Sequence, residues 1–89
     1  MDISLSKKRL EAALEEPHPA HAVAVLAQAF KKEGMTQAEM YRLYDEYRAK
    51  HHGDADETKY DAIVDTMDCI VGWCNPSNRL YDTPYEENL

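Results

Sequence analysis

The stretch Glu57-Thr58-Lys59-Tyr60-Asp61-Ala62-Ile63-Val64-Asp65-Thr66-Met67-Asp68-Cys69-Ile70-Val71-Gly72-Trp73-Cys74 carries the strongest period in the chain. Tyr60, Ile63, Val64, Met67, Ile70, Val71 and Cys74 recur at spacings of three and four, which is one face of an α-helix. Asp54 or Asp56 can cap its start, and Asn75-Pro76 ends it, so the helix is expected to reach Trp73 or Cys74. Glu57, Asp61, Asp65 and Asp68 form a second, acidic stripe that Gly72 continues. Ala62, Thr66, Cys69 and Trp73 form a third face, which leaves the C-terminal half apolar over most of its circumference. A helix of that kind is either central in the fold or covered by something else.

Three more helices are expected upstream. Thr36-Gln37-Ala38-Glu39 is a capping box, in which the Thr hydroxyl and the Glu carboxylate satisfy backbone amides reciprocally. Met35 and Met40 flank it where a hydrophobic staple belongs. The helix it opens presents Met40, Leu43, Tyr44, Tyr47 and His51 on one face and ends at Gly53. Before it, Pro19 to Glu33 carries Val23, Leu26, Ala27 and Phe30 on one face, with Lys31 and Lys32 in the last turn. Gly34 suits the left-handed position that closes such a helix, and His18 stands where it can cap the start. The first segment, Ser4 to Glu16, sets Ile3, Leu10, Ala13 and Leu14 on one side, and Pro17 and Pro19 stop it.

No strand-like alternation and no internal repeat is visible. Helices this short hold together only by sharing a core, and their short connections favour antiparallel neighbours. The expected fold is therefore all-α: a small four-helix bundle as a single domain over 1–76, with an irregular C-terminal tail over 77–89. Leu80 and Tyr81 are the tail residues best suited to pin it, and they could also cover the third face of the last helix.

Composition narrows the function. The 89 residues hold ten Lys and Arg against 17 Asp and Glu, a formal net charge of −7. Residues 1–50 contain eight basic and eight acidic residues, and residues 51–89 contain two and nine, so the whole excess falls on the last helix and the tail. Nucleic-acid binding rests on Lys and Arg neutralising phosphates, so this balance argues against it, and equally against an anionic membrane surface. Gln37, Tyr41 and Arg42 sit where a recognition helix would read bases, but Glu39, Asp45 and Glu46 stand beside them. The mostly apolar run Ala20–Phe30 is too short to span a bilayer, which takes about 20 residues. Met1–Glu16 has no apolar core of a secretory signal, and Cys69 and Cys74 would face about 140° apart on one helix. Both observations fit thiols in the cytoplasm.

Several chemistries can be weighed against that background. His18 with His21, and His51 with His52, lack the further ligands that zinc spacing requires. Cys69 among acidic neighbours is a poor nucleophile. Asp65-x-x-Asp68 could hold a divalent cation, but a metal-dependent phosphohydrolase would need a second acidic pair of the Glu-x-x-Glu type, which the sequence does not supply. No metal or other cofactor is therefore expected, and no catalytic residue is assigned. The stripe otherwise reads as a solvated face, as one paired with cations from other helices, or as a recognition face for a basic partner.

Asp65-x-x-Asp68 followed by Gly72-Trp73-Cys74-Asn75-Pro76 and Arg79-Leu80 resembles a segment of small acidic bacterial helical proteins of unassigned function. Gly34-Met35-Thr36-Gln37-Ala38-Glu39 fits the same resemblance. In size, acidity and helix content the chain also resembles the small immunity proteins that neutralise nuclease toxins. No activity or site follows from either likeness. The expectation is a non-enzymatic protein-interaction module, or in a more specific form an immunity-type inhibitor of a basic toxin. Its partner-binding residues would be Glu57, Asp61, Asp65, Asp68, Cys69 and Trp73, against a basic patch on another protein or a second copy of the chain.

Overall fold

The structure, a computed structural model, describes residues 3–71 and 80–81. Four helices follow one another: α1 (Ile3–Leu14), α2 (Pro19–Lys32), α3 (Gln37–His51) and α4 (Thr58–Val71). The described residues contain no strand, so the fold is all-helical.

The α2–α3 turn is built from local chemistry. Gly34, at φ +99°, donates its amide to Lys31 O at 3.1 Å, and Met35 donates to Phe30 O at 3.0 Å. These two bonds make the glycine-dependent helix ending in which the final carbonyls are satisfied by the next two amides. One residue later Thr36 Oγ1 accepts from the Glu39 amide at 3.2 Å, and Glu39 Oε1 accepts from the Thr36 amide at 2.9 Å. Met35 thus closes one helix and precedes the next, and its side chain is buried with Phe30 and Met40 in the core. His18 occupies the cap position of α2 but makes no side-chain capping bond, contrary to the sequence expectation. Pro19 in the first turn has no amide there to satisfy.

The core joins all four helices and Leu80. α4 packs against both α2 and α3, and α1 packs on α2, while α2 and α3 touch little despite the short turn between them. This places α4 centrally, and it shifts the helix's buried stripe. Ala62, Ile63, Thr66, Met67 and Ile70 are buried, whereas Tyr60, Val64 and Val71 are only half-buried. The small side chains of Ala62 and Thr66 are thus part of the core stripe, which merges with part of the expected third face.

α1 departs from expectation at its start. Ser6, Leu10, Ala13 and Leu14 are buried, but Ile3 is half exposed. Arg9 pairs with Glu33 at 2.6 Å, one residue past the last residue of α2. Ile3 lies six residues earlier, about 9 Å further along the axis, beyond the end of the helix that α1 packs on.

Polar groups in the interior are matched. Tyr44, fully buried, donates its hydroxyl to Val23 O at 3.0 Å, which ties α3 to α2. Burial pushes this phenol well above its ordinary pKa. Tyr47 donates to Glu11 Oε2 at 2.5 Å, tying α3 to α1, and its pKa is raised first by burial and then by that carboxylate. No buried side-chain nitrogen or oxygen among the described residues lacks a hydrogen bond.

Candidate functional site

Most acidic side chains upstream of α4 have structural work. Glu33 pairs with Arg9, Glu46 with Lys7 at 3.2 Å, and Asp45 with Arg48 at 2.7 Å. Glu11 accepts from Tyr47, and Glu39 closes the capping box. Asp54 meets His51 at 2.8 Å. Asp56 accepts from the Thr58 amide at 2.9 Å, next to the first hydrogen-bonded turn of α4. These contacts leave electrostatic traces. The Thr58 hydroxyl and amide hold Asp56 below its usual carboxylate range, and the Arg9 guanidinium does so for Glu33.

The α4 stripe contrasts with this. Glu57, Asp61, Asp65 and Asp68 are exposed. Among the described residues no cation pairs with any of them. Lys59, the nearest cation in sequence, is drawn across to Glu15 at the end of α1, at 2.8 Å. That contact raises the lysine's pKa and lowers the carboxylate's. Three aspartates at i, i+4 and i+7 therefore repel one another on one exposed face, by a few tenths of a kcal/mol per pair (~0.2–0.5).

The remaining expected site residues lie elsewhere. Cys69 is half-buried against the core, and its carbonyl accepts from the Leu80 amide at 3.2 Å. Trp73, like Cys74, lies outside the described residues. The structure thus brings four of the six together as a charged face, with Cys69 at the edge of the core beside Leu80.

Other features are less suggestive. Among the described residues no three of His, Cys, Asp or Glu stand close enough to share a metal ion. No helix among them is long and apolar enough to cross a membrane. His52 makes an edge-to-face contact with Tyr60 of α4, with ring centres 5.7 Å apart. A shallow groove along the α1–α2 seam is lined by Ala12, Ala22, Leu26 and exposed Val25 among others.

Two contacts had little or no signal in the sequence. Gln37 Nε2 donates to Ile70 O at 2.7 Å, and Tyr81 donates its hydroxyl to Met35 O at 2.6 Å. Leu80 and Tyr81 stood out as apolar residues in a polar tail, but nothing in the spacing of Gln37 marks it as a partner of α4.

No protein-family model matches the chain, and no curated protein or solved structure matches it.

Proposed function

We propose that the protein is a non-enzymatic interaction module of the cytoplasm, a four-helix bundle with an irregular C-terminal tail, that binds a protein partner through the acidic face of α4. The observation that carries this reading is the contrast in acid usage. Upstream carboxylates are spent on caps and ion pairs, while Asp61, Asp65 and Asp68 stand exposed with no cation among the described residues, and Lys59 is engaged elsewhere. A face that costs some intramolecular repulsion and has no internal partner suits a basic surface on another protein. There its charge speeds encounter and disfavours acidic competitors. Such steering weakens with ionic strength, because exposed charges are screened beyond about 8 Å at physiological salt.

The test is affinity capture from native lysate with wild type and Asp61→Lys/Asp65→Lys, each at low and high salt. The wild type should retain basic proteins at low salt and lose them at high salt, and the double variant should not retain them at either. The same set of captured proteins for both chains would sink this reading.

A further inference from the structure

The groove along the α1–α2 seam has two charged ends and a low apolar middle. Glu16, in the connection between the two helices, stands at one end, and Arg9 at the other. Arg9 is fixed there by two neighbours. Its guanidinium lies over Phe30, 4.9 Å from the ring centre, and both terminal nitrogens pair with Glu33, at 2.6 and 2.9 Å. Between the ends, Ala12 and Ala13 of α1 line the seam together with Ala22 of α2. Methyl groups on both walls make the middle a hollow. Val25 stands at its edge, with 48% of its surface exposed.

Both halves of a contact are thus present on one surface: a hollow and a knob, a carboxylate and a cation. Such a surface is complementary to itself under a two-fold rotation, in which each feature of one copy meets a different feature of the other. With the axis crossing the middle of the groove, the two grooves run antiparallel. Val25 of each copy then enters the alanine hollow of the other, and Glu16 of each approaches Arg9 of the other. Arg9 can take this second carboxylate, since a guanidinium has five N–H donors and Glu33 engages two of its nitrogens. The groove also belongs to the half of the chain whose charges balance, with eight basic and eight acidic residues over 1–50.

We propose that the α1–α2 groove is a self-association surface whose occupant is a second copy of the chain, in a two-fold dimer. Its lining comes from α1, α2 and the connection between them, apart from the acidic stripe of α4. The proposal therefore does not rest on the proposed function, and a dimer built this way would carry two acidic faces.

Sedimentation equilibrium of the full chain between about 1 μM and about 1 mM tests it, in wild type, Val25→Glu, Glu16→Lys and Gln28→Glu. All three substituted residues are exposed, so the four chains should share one circular-dichroism spectrum. Wild type should pass from monomer to dimer within that range, as suits a small interface. Val25→Glu sets a carboxylate in each alanine hollow and should weaken association at least about tenfold. Glu16→Lys sets a second cation against Arg9 and should weaken it severalfold. Gln28→Glu adds the same charge to α2 outside the groove lining and should leave association within about twofold of wild type. A wild type that stays monomeric at every concentration, as it would if another segment of the same chain filled the groove, overturns the proposal. So does a dimer that either Val25→Glu or Glu16→Lys leaves as tight as wild type, or one that Gln28→Glu weakens as much as Val25→Glu does.

Discussion

The C-terminal parts of α2 and α4 are held in different ways. α2 closes on residues that follow it directly: the amides of Gly34 and Met35 reach Lys31 O and Phe30 O, with Gly34 at φ +99°. In α4 the carbonyls of Cys69 and Ile70 take donors from outside the helix, the Leu80 amide and the Gln37 side chain, and Tyr81 donates to Met35 O. A local ending needs only the right residues in order, so it can form early and survive partial opening. A tertiary fastening exists only when the fold does. The fastening of α4 therefore reports on the integrity of the α2–α3 turn, while the end of α2 does not depend on α4.

The sharpest way to break this contrast is Gln37→Ala. It removes the donor to Ile70 O, and a carbonyl left short of its partner in a half-buried site costs about 2 kcal/mol. For a domain of this size that is roughly 10 °C in Tm, read by thermal unfolding followed by circular dichroism. Because Gln37 and Leu80 hold the same turn of α4, the losses in Gln37→Ala and Leu80→Ala should not add. Additive losses would mean that the two ties act independently and that α4 has no shared fastening.

Gly34→Ala should cost less, about 1 kcal/mol, from forcing a side chain into the left-handed region. There is open space around the position, with nothing within 4 Å of an added Cβ, so the cost is purely conformational. This loss and that of Gln37→Ala should fall short of additive, since Gly34 shapes the turn from which Gln37 reaches Ile70 O. Urea unfolding of the single and double variants measures both. A Gly34→Ala variant as stable as wild type would show that the turn does not need its glycine.

The same contrast explains what the sequence made legible. Four helices, the α3 capping box, Gly34 and most of the buried faces of α2 and α3 follow from residues within a few positions of one another, while Leu26 and His51 on those faces are half-buried. The face that α4 buries followed in part: Ile63, Met67 and Ile70 have the right phase, but Ala62 and Thr66 enter the core only where α4 meets both α2 and α3. Ile3 has the phase of the core face, but phase says nothing of where the neighbouring helix stops. The acidic stripe was visible as spacing. That Lys59 engages Glu15, 44 residues away, was not.

Acid should separate the cap at the start of α3 from the fastening of α4, with the smallest of these effects. Glu39 is held below its ordinary carboxylate range, first by the bond from the Thr36 amide and then by the Thr36 hydroxyl. A carboxyl group whose pKa is depressed on folding contributes stability that is present above its unfolded pKa and lost as pH falls through the folded value. The start of α3 should therefore weaken in acid. The end of α4 should not respond in this way, because its ties come from the Leu80 amide, the Gln37 carboxamide and the Tyr81 hydroxyl, none of which titrates there. Glu39→Gln keeps an oxygen to accept from Thr36 but has no proton to gain, so its stability should fall less steeply with acid than that of wild type. Some slope should remain, since Glu33 and Glu15 are likewise depressed by Arg9 and Lys59. Gln37→Ala should instead lie below wild type by the same amount at every pH. Urea midpoints from pH 7 down to pH 3 measure all three chains. If Glu39→Gln parallels wild type throughout, or Gln37→Ala converges on it in acid, the division between a titrating cap at the start of α3 and a non-titrating fastening of α4 fails.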